Sequence, residues 1–290
     1  MKMRVLPTFL AVLALAGPVA AADSPFDYAK APVDLRDTGI TMRDVSYTDA
    51  AGRPAEATVV GPRVPGKHPA VLFVHWYEPH DPSSGRTQFV PDAMRLARNG
   101  VVSLLVDTLW SDPQWFGKRD VAEDLPHSID QVRNLRRALD VLAAMPEVDP
   151  KRLHYVGHDF GAMYGALLAS VDPRPRSWVF IAGTKAWADW FLLGRKPDAE
   201  TKRKVEETFR PYDPERTVGS MAPSPVLFQF GNKDPYVPRE AADALVAGAR
   251  DPKEVRFYDC GHGMNMAAME DRLAWLLKVI EGAPPARGGS

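Results

Sequence analysis

From residue 70 onward, short apolar runs alternate with stretches whose apolar residues recur at helical spacing, and that alternation leaves the chain few architectures to choose from. Residues 70–75 (AVLFVH) and 101–107 (VVSLLVD) are almost continuously apolar, as strands are when both faces of a parallel sheet are covered. Between them 87–99 reads as a helix, and Gly100 supplies its stop. In 128–145, Ile129, Val132, Leu135, Leu139 and Leu142 fall at helical spacing, with Arg133, Arg136 and Arg137 on other faces, and Pro146 closes the helix. Further strands are expected at 153–157, 178–182, 226–230 and 255–258, and helices at 160–170, 239–249 and 266–280. Ahead of this series lies a polar, turn-rich lead-in with two paired strands, 40–47 and 55–60. The pattern implies right-handed crossovers and an α/β fold: a mostly parallel sheet of about eight strands with helices on both faces. In such sheets ligands gather at the carboxyl ends of the strands.

The chain has 290 residues, 45% of them hydrophobic, and 36 Lys+Arg against 37 Asp+Glu, which fits one large domain and offers no basic excess for nucleic acid. Residues 1–22 read as a secretory signal: Lys2 and Arg4 open it, 5–17 is apolar, and Ala20, Ala21 and Ala22 form a small-residue cleavage site. The apolar run is shorter than the roughly 20 residues that span a bilayer, so cleavage and a periplasmic or secreted protein without stable membrane association are expected. The mature domain would be 23–281, followed by a Pro/Gly-rich, flexible tail, 282–290. Cys260 is the only cysteine, so no intramolecular disulfide can form. Oligomeric state is left open.

The chemistry concentrates at three predicted strand ends. VGHDFGAMYG (156–165) has the Gly-x-nucleophile-x-Gly spacing of a nucleophile elbow, with Asp159 at its centre in a strand-turn-helix context. Gly157 and Gly161 remove side chains that so sharp a turn would crowd. FGNKDPYVP (230–238) puts Asp234 beyond one strand, and DCGHGM (259–264) puts His262 beyond the last. Nucleophile, acid, histidine is the chain order of a triad in which Asp234 orients His262 and His262 acts as base.

On these residues the chain resembles the α/β-hydrolase superfamily over nearly the whole mature sequence. VDPKRLHYVGHDFGA (148–162) and the Asp234 and His262 loops look most like the dienelactone-hydrolase-like branch of esterases and lactonases. The elbow aspartate instead resembles haloalkane dehalogenases and epoxide hydrolases, whose elbows often read Gly-His-Asp-Trp-Gly; here Phe160 takes the tryptophan's place. The resemblance implies an oxyanion hole built from the backbone N–H of Phe160 and one from the loop after His75 (HWYEP), assigned to Trp76. It also implies a lid between the sixth and seventh predicted strands, about 184–224, carrying Trp187, Trp190, Phe191, Tyr212 and a charged helix over 200–210. Tyr77, Trp110, Trp187, Trp190 and Tyr212 are the expected walls of an apolar pocket for a small-molecule substrate, with Trp76, Trp115 and Phe116 also at strand ends.

An aspartate narrows the reaction. Attack of a carboxylate on an ester carbonyl gives a high-energy anhydride, whereas attack on an sp³ carbon bearing halide or an epoxide oxygen gives an ordinary alkyl ester. The sequence therefore favours hydrolysis of an epoxide or haloalkane through a covalent Asp159 ester, with Tyr212 or Tyr77 as acid for an epoxide oxygen. A dienelactone-hydrolase-like esterase or lactonase is the second reading, and an inactive periplasmic ligand-binding protein the third. No cofactor is expected, since there is no phosphate-binding glycine loop, and no metal, since His68, His80, His127 and His154 lack ligand spacing and suit surface or capping roles. His158 is expected to pack or support the site, Glu78 to face solvent, and Cys260 to be structural.

Overall fold

The computed structural model describes residues 33–35 and 39–282; the predicted signal, 1–22, and the tail beyond 282 lie outside the described residues. One nine-stranded sheet runs through the molecule in the order β1-β2-β3-β5-β4-β6-β7-β8-β9. Its strands are β1 (Val33–Leu35), β2 (Ile40–Thr48), β3 (Pro54–Pro62), β4 (His68–Val74), β5 (Val102–Val106), β6 (Val148–His158), β7 (Pro175–Ile181), β8 (Val226–Gly231) and β9 (Lys253–Tyr258). The six strands β5, β4, β6, β7, β8 and β9 are mutually parallel, while β1, β2 and β3 pair antiparallel along one edge. The strand beyond the expected eight is β1, only three residues long and too short to leave a periodic signal.

The helices are α1 (Val90–Arg98), α2 (Trp115–Lys118), α3 (Asp124–Ala144), α4 (Phe160–Ala169), α5 (Trp187–Phe191), α6 (Ala199–Phe209), α7 (Pro214–Thr217), α8 (Arg239–Gly248) and α9 (Met266–Gly282). The central strand β4 shows why its run is apolar throughout: Ala70, Leu72 and Val74 face a core with Leu135, Leu139 and Leu142 of α3, whereas Val71 and Phe73 face Leu96 of α1 and Leu273 and Leu276 of α9. Successive strand residues point to opposite faces, so both sets are buried. Helix α1 starts at Val90 rather than Thr87, because 81–89 is spent on turns, and ends at Gly100, whose φ of 77° suits glycine. No described helix is long and apolar enough to cross a membrane.

Between β7 and β8, where the lid was expected, the chain forms α5, α6, α7 and two turns of 3₁₀ helix. Arg119, in the loop before α3, ties this segment down. Its guanidinium pairs with Asp124, donates to the Phe191 carbonyl at the end of α5, and lies 4.4 Å from the Phe116 ring centroid. Both charged side chains are almost completely buried.

Candidate active site

Asp159 sits between β6 and α4 with φ 56° and ψ −116°, a conformation that L-residues occupy only when the surroundings impose it. The surroundings here are tight: a Cβ on Gly157 would come within 2.3 Å of the Gly161 carbonyl oxygen, and one on Gly161 within 2.2 Å of the Val74 carbonyl oxygen. The Asp159 N–H donates to the Ile181 carbonyl at 2.9 Å, and the Tyr155 hydroxyl donates to the Gly161 carbonyl at 2.7 Å. The turn is thereby fixed from the neighbouring strands.

The Asp159 carboxylate is 2% exposed, and its two oxygens are treated differently. Oδ2 accepts the Tyr77 N–H at 3.0 Å, and the Phe160 N–H, on the first residue of α4, also favours the charged carboxylate. Oδ1 is buried without a hydrogen-bond partner. Burial pushes the Asp159 carboxyl up to about 6 and the nearby Asp234 charge adds to this, against the lowering effects of His262 and the two N–H donors. At neutral pH it is ionised, with one oxygen held and one bare.

The second backbone donor is thus Tyr77 and not Trp76. The Trp76 N–H donates instead to Gln88 Oε1 at 2.8 Å, while the Gln88 amide nitrogen donates to His158 Nδ1 at 2.6 Å. His158, completely buried and held neutral chiefly by desolvation, carries its proton on Nε2 and donates to the His262 carbonyl at 3.0 Å. The Trp76 ring stacks on His158 with centroids 4.9 Å apart. His158 therefore supports the loop that carries His262.

His262 Nδ1–H donates to Asp234 Oδ2 at 2.7 Å, and Asp234 Oδ1 accepts the N–H groups of Tyr236 (2.8 Å) and Val237 (3.1 Å). With both oxygens engaged, Asp234 fixes the imidazole orientation. Burial works against protonating His262, but the Asp234 hydrogen bond and the Asp159 and Asp234 charges outweigh it and raise its pKa. Asp159 and His262 line one cavity of about 250 Å³, at the carboxyl ends of β4, β6, β8 and β9. Asp159 and His262 thus share a cavity, and Asp234 is hydrogen-bonded to His262.

No protein-family model and no curated protein sequence matches the chain. Solved structures do. An acetyl xylan esterase from Paenibacillus sp. R4 superposes with TM-score 0.73 at 20% identity, covering 92% of this chain and 91% of that one. The 2,6-dihydroxy-pseudo-oxynicotine hydrolase superposes with TM-score 0.61 at 17% identity over 92% and 72% of the two chains. A Klebsiella pneumoniae subsp. pneumoniae chain described as a dienelactone hydrolase gives 0.60 at 18% identity over 84% and 99%. The chain has the α/β-hydrolase fold.

Within this α/β-hydrolase scaffold, two of the five expected pocket residues, Tyr77 and Trp190, line the cavity. Trp110 does not: it is fully buried, donates its indole N–H to the His75 carbonyl at 3.1 Å and stacks on Tyr164 at 5.0 Å. Trp187 is equally buried, its indole N–H on the Tyr212 carbonyl at 2.8 Å, and Tyr212 packs against the core instead of the cavity. All three pack with the hydrophobic core and not on the cavity wall. Glu78, expected to face solvent, stands on the cavity wall, as do Phe116, Leu193 and Tyr236. Tyr236 had a readable signal, two residues after Asp234 in a turn that Asp234 itself caps. His154 is neither surface nor cap; it is buried, bonds Ser177 at 2.8 Å, and desolvation lowers its pKa to about 3. No group of three or more His, Cys, Asp or Glu among the described residues is placed to hold a metal ion.

Proposed function

We propose that the protein is a hydrolase that opens a small epoxide or haloalkane through a covalent ester on Asp159. The observation that carries this reading is the division of labour between the Asp159 oxygens: Oδ2 against the Tyr77 N–H, Oδ1 desolvated and without a partner. Oδ1 would give its electron pair to an sp³ carbon while the carbon–halogen or carbon–oxygen bond breaks toward the leaving atom. Oδ2 then becomes the carbonyl oxygen of the ester, already seated on the Tyr77 N–H, with the Phe160 N–H as the second donor of the proposed hole. His262 takes a proton from water, the hydroxide adds to the ester carbon, and the negative charge that forms on Oδ2 is met by donors in place beforehand. Collapse expels the alcohol, which recovers its proton from His262. For an epoxide the acid is not Tyr77, whose hydroxyl donates to the Pro113 carbonyl at 2.8 Å, nor Tyr212, which is off the cavity; Tyr236 is the remaining tyrosine on its wall.

The test is a screen of epoxides, haloalkanes and short esters, followed by intact-protein and peptide mass spectrometry of His262→Gln with a turned-over substrate. The variant should accumulate substrate mass on the Asp159 peptide, because the nucleophile is intact and the water-activating base is gone. Turnover by the unmutated protein with no adduct in the variant would contradict the reading. Ester or lactone hydrolysis is the second reading, favoured by the structural neighbours that are named esterases. It needs His262 before any covalent bond forms, so His262→Gln would trap nothing. We also propose export, on the Lys2 and Arg4 start and the Ala20 to Ala22 site. Protein recovered from the periplasm should begin near Asp23, and a full-length cytoplasmic chain would contradict it.

A further inference from the structure

The cavity has a charge that hydrolysis of a neutral epoxide or haloalkane does not require. Asp159 and Glu78 line it, Asp234 stands directly behind His262, and no lysine or arginine is among its described lining residues. Three carboxylates thus face the two imidazoles of the wall, His262 and His80, so groups that carry negative charge outnumber those that can turn positive. Glu78 lies close enough to add to the forces holding the His262 proton. The two guanidinium groups nearby are both against Phe116: Arg119 is neutralised by Asp124, and Arg195 donates to the Phe116 carbonyl from outside the cavity.

Beside Pro79, His80 and Leu193, the rest of the wall is a continuous series of aromatic rings. Phe116, Tyr77, Phe160, Trp190 and Tyr236 follow one another with neighbouring ring centroids 5.7 Å, 6.4 Å, 6.0 Å and 6.1 Å apart, and Tyr236 closes on His262 at 5.2 Å. Ring faces in a confined, desolvated space attract cations, and carboxylates at the same site add to that attraction. An anionic substrate would meet three carboxylates and no lysine or arginine among the described lining residues. The cavity volume, about 250 Å³, lies below the range of about 300–1,000 Å³ that holds drug-sized ligands, so the group it takes is small.

We infer that the cavity is an aromatic and carboxylate cage for a cationic substrate, a small alkylammonium compound carrying its epoxide or halide on a carbon near the charged nitrogen. The inference names the substrate class of the reaction proposed above and rests on that reading for its chemistry, whereas the cation site itself rests on the cavity wall. The ammonium group is unchanged in the reaction; Oδ1 of Asp159 forms the carbon–oxygen bond, and the pair of the breaking bond leaves with the halide or stays on the epoxide oxygen, which takes a proton from the Tyr236 hydroxyl, restored by the proton that the re-formed Asp159 carboxyl releases.

Choline and its neutral isostere 3,3-dimethylbutan-1-ol test the cation site without the chemistry, because neither has a leaving group. Titration calorimetry on the unmutated protein at pH 8 should show choline binding at least about tenfold more tightly. Glu78→Gln and Tyr236→Leu, both changes at partly or fully exposed loop positions, should each reduce that preference several-fold. Equal or tighter binding of the isostere, no choline binding at millimolar concentration, or a preference that neither variant alters would overturn the inference. The two claims fail separately. Labelled Asp159 without choline preference removes the cation site and keeps the nucleophile, whereas choline preference without labelling does the reverse to the proposed reaction and leaves the cage standing.

Discussion

Replacing Asp159 by asparagine should make the protein more stable, and more so at high pH than at low. The buried carboxyl titrates at about 6 in the fold against 3.8 for an unperturbed group, chiefly because burial disfavours its charge. A folded pKa above the unfolded one means that the group's contribution to stability is whole below pH 3.8 and is lost as pH rises through about 6. At about 1.4 kcal/mol per tenfold, the ionised side chain costs about 3 kcal/mol at pH 8 and about half that at pH 5. Asparagine has nearly the same shape, can still present an oxygen to the Tyr77 N–H, and carries no charge at either pH. Urea unfolding followed by tryptophan fluorescence at pH 8 and pH 5 would give the difference between variant and parent at each. Asp159 and His262 interact, so pH 8 is chosen to lie above the Asp159 transition by a wide margin. A stability difference that is the same at both pH values, or a destabilised variant at pH 8, would refute the claim that an ionised carboxylate is held in a desolvated site.

Three further outcomes are expected. Adduct formation on Asp159 should fall about tenfold between pH 7 and pH 5 in quenched-flow experiments, since only the ionised carboxylate attacks, and in His262→Gln the midpoint should move up because a charge that lowers the Asp159 pKa is gone. Arg119→Met should cost about 3–5 kcal/mol in urea unfolding by leaving Asp124 buried and unpaired, and a second change, Asp124→Leu, should recover most of it; additive losses would show that the pair is not coupled. Gly161→Ala should destabilise by about 3 kcal/mol, because its methyl carbon would lie 2.2 Å from the Val74 carbonyl oxygen, and an unchanged urea midpoint would contradict the elbow geometry.

The parts of the site that sequence made legible are those fixed by local backbone rules. Asp159, Asp234 and His262 lie at or a few residues beyond the carboxyl ends of β6, β8 and β9, so their place at one end of a parallel sheet follows from topology alone. What eluded the sequence depends on where a side chain or an N–H turns once the chain leaves a strand. Trp76 and Tyr77 are adjacent, and only the side chain of Gln88, twelve residues away, decides that the Trp76 N–H is occupied and the Tyr77 N–H faces Asp159. Trp110 lies in a 3₁₀ turn that sends its ring into the core, and Trp187 is drawn inward by Tyr164 and Phe191. Composition marks both as candidates for a pocket, and packing removes them. Glu78 shows the reverse case, a loop charge that ordinary exposure statistics assign to solvent and that the fold turns onto a cavity wall.

The central claim, that Asp159 itself attacks the substrate, is tested most directly by isotope transfer in the unmutated enzyme. In a single turnover with enzyme in excess in oxygen-18 water, the water that hydrolyses the ester adds to the Asp159 carbonyl carbon, and the alcohol product leaves with an oxygen that came from the protein. The account predicts one heavy oxygen in the Asp159 carboxylate by peptide mass spectrometry and none from solvent in the newly formed alcohol group. Heavy oxygen in the product with an unlabelled Asp159, despite measured turnover, would contradict it and assign the attack to water.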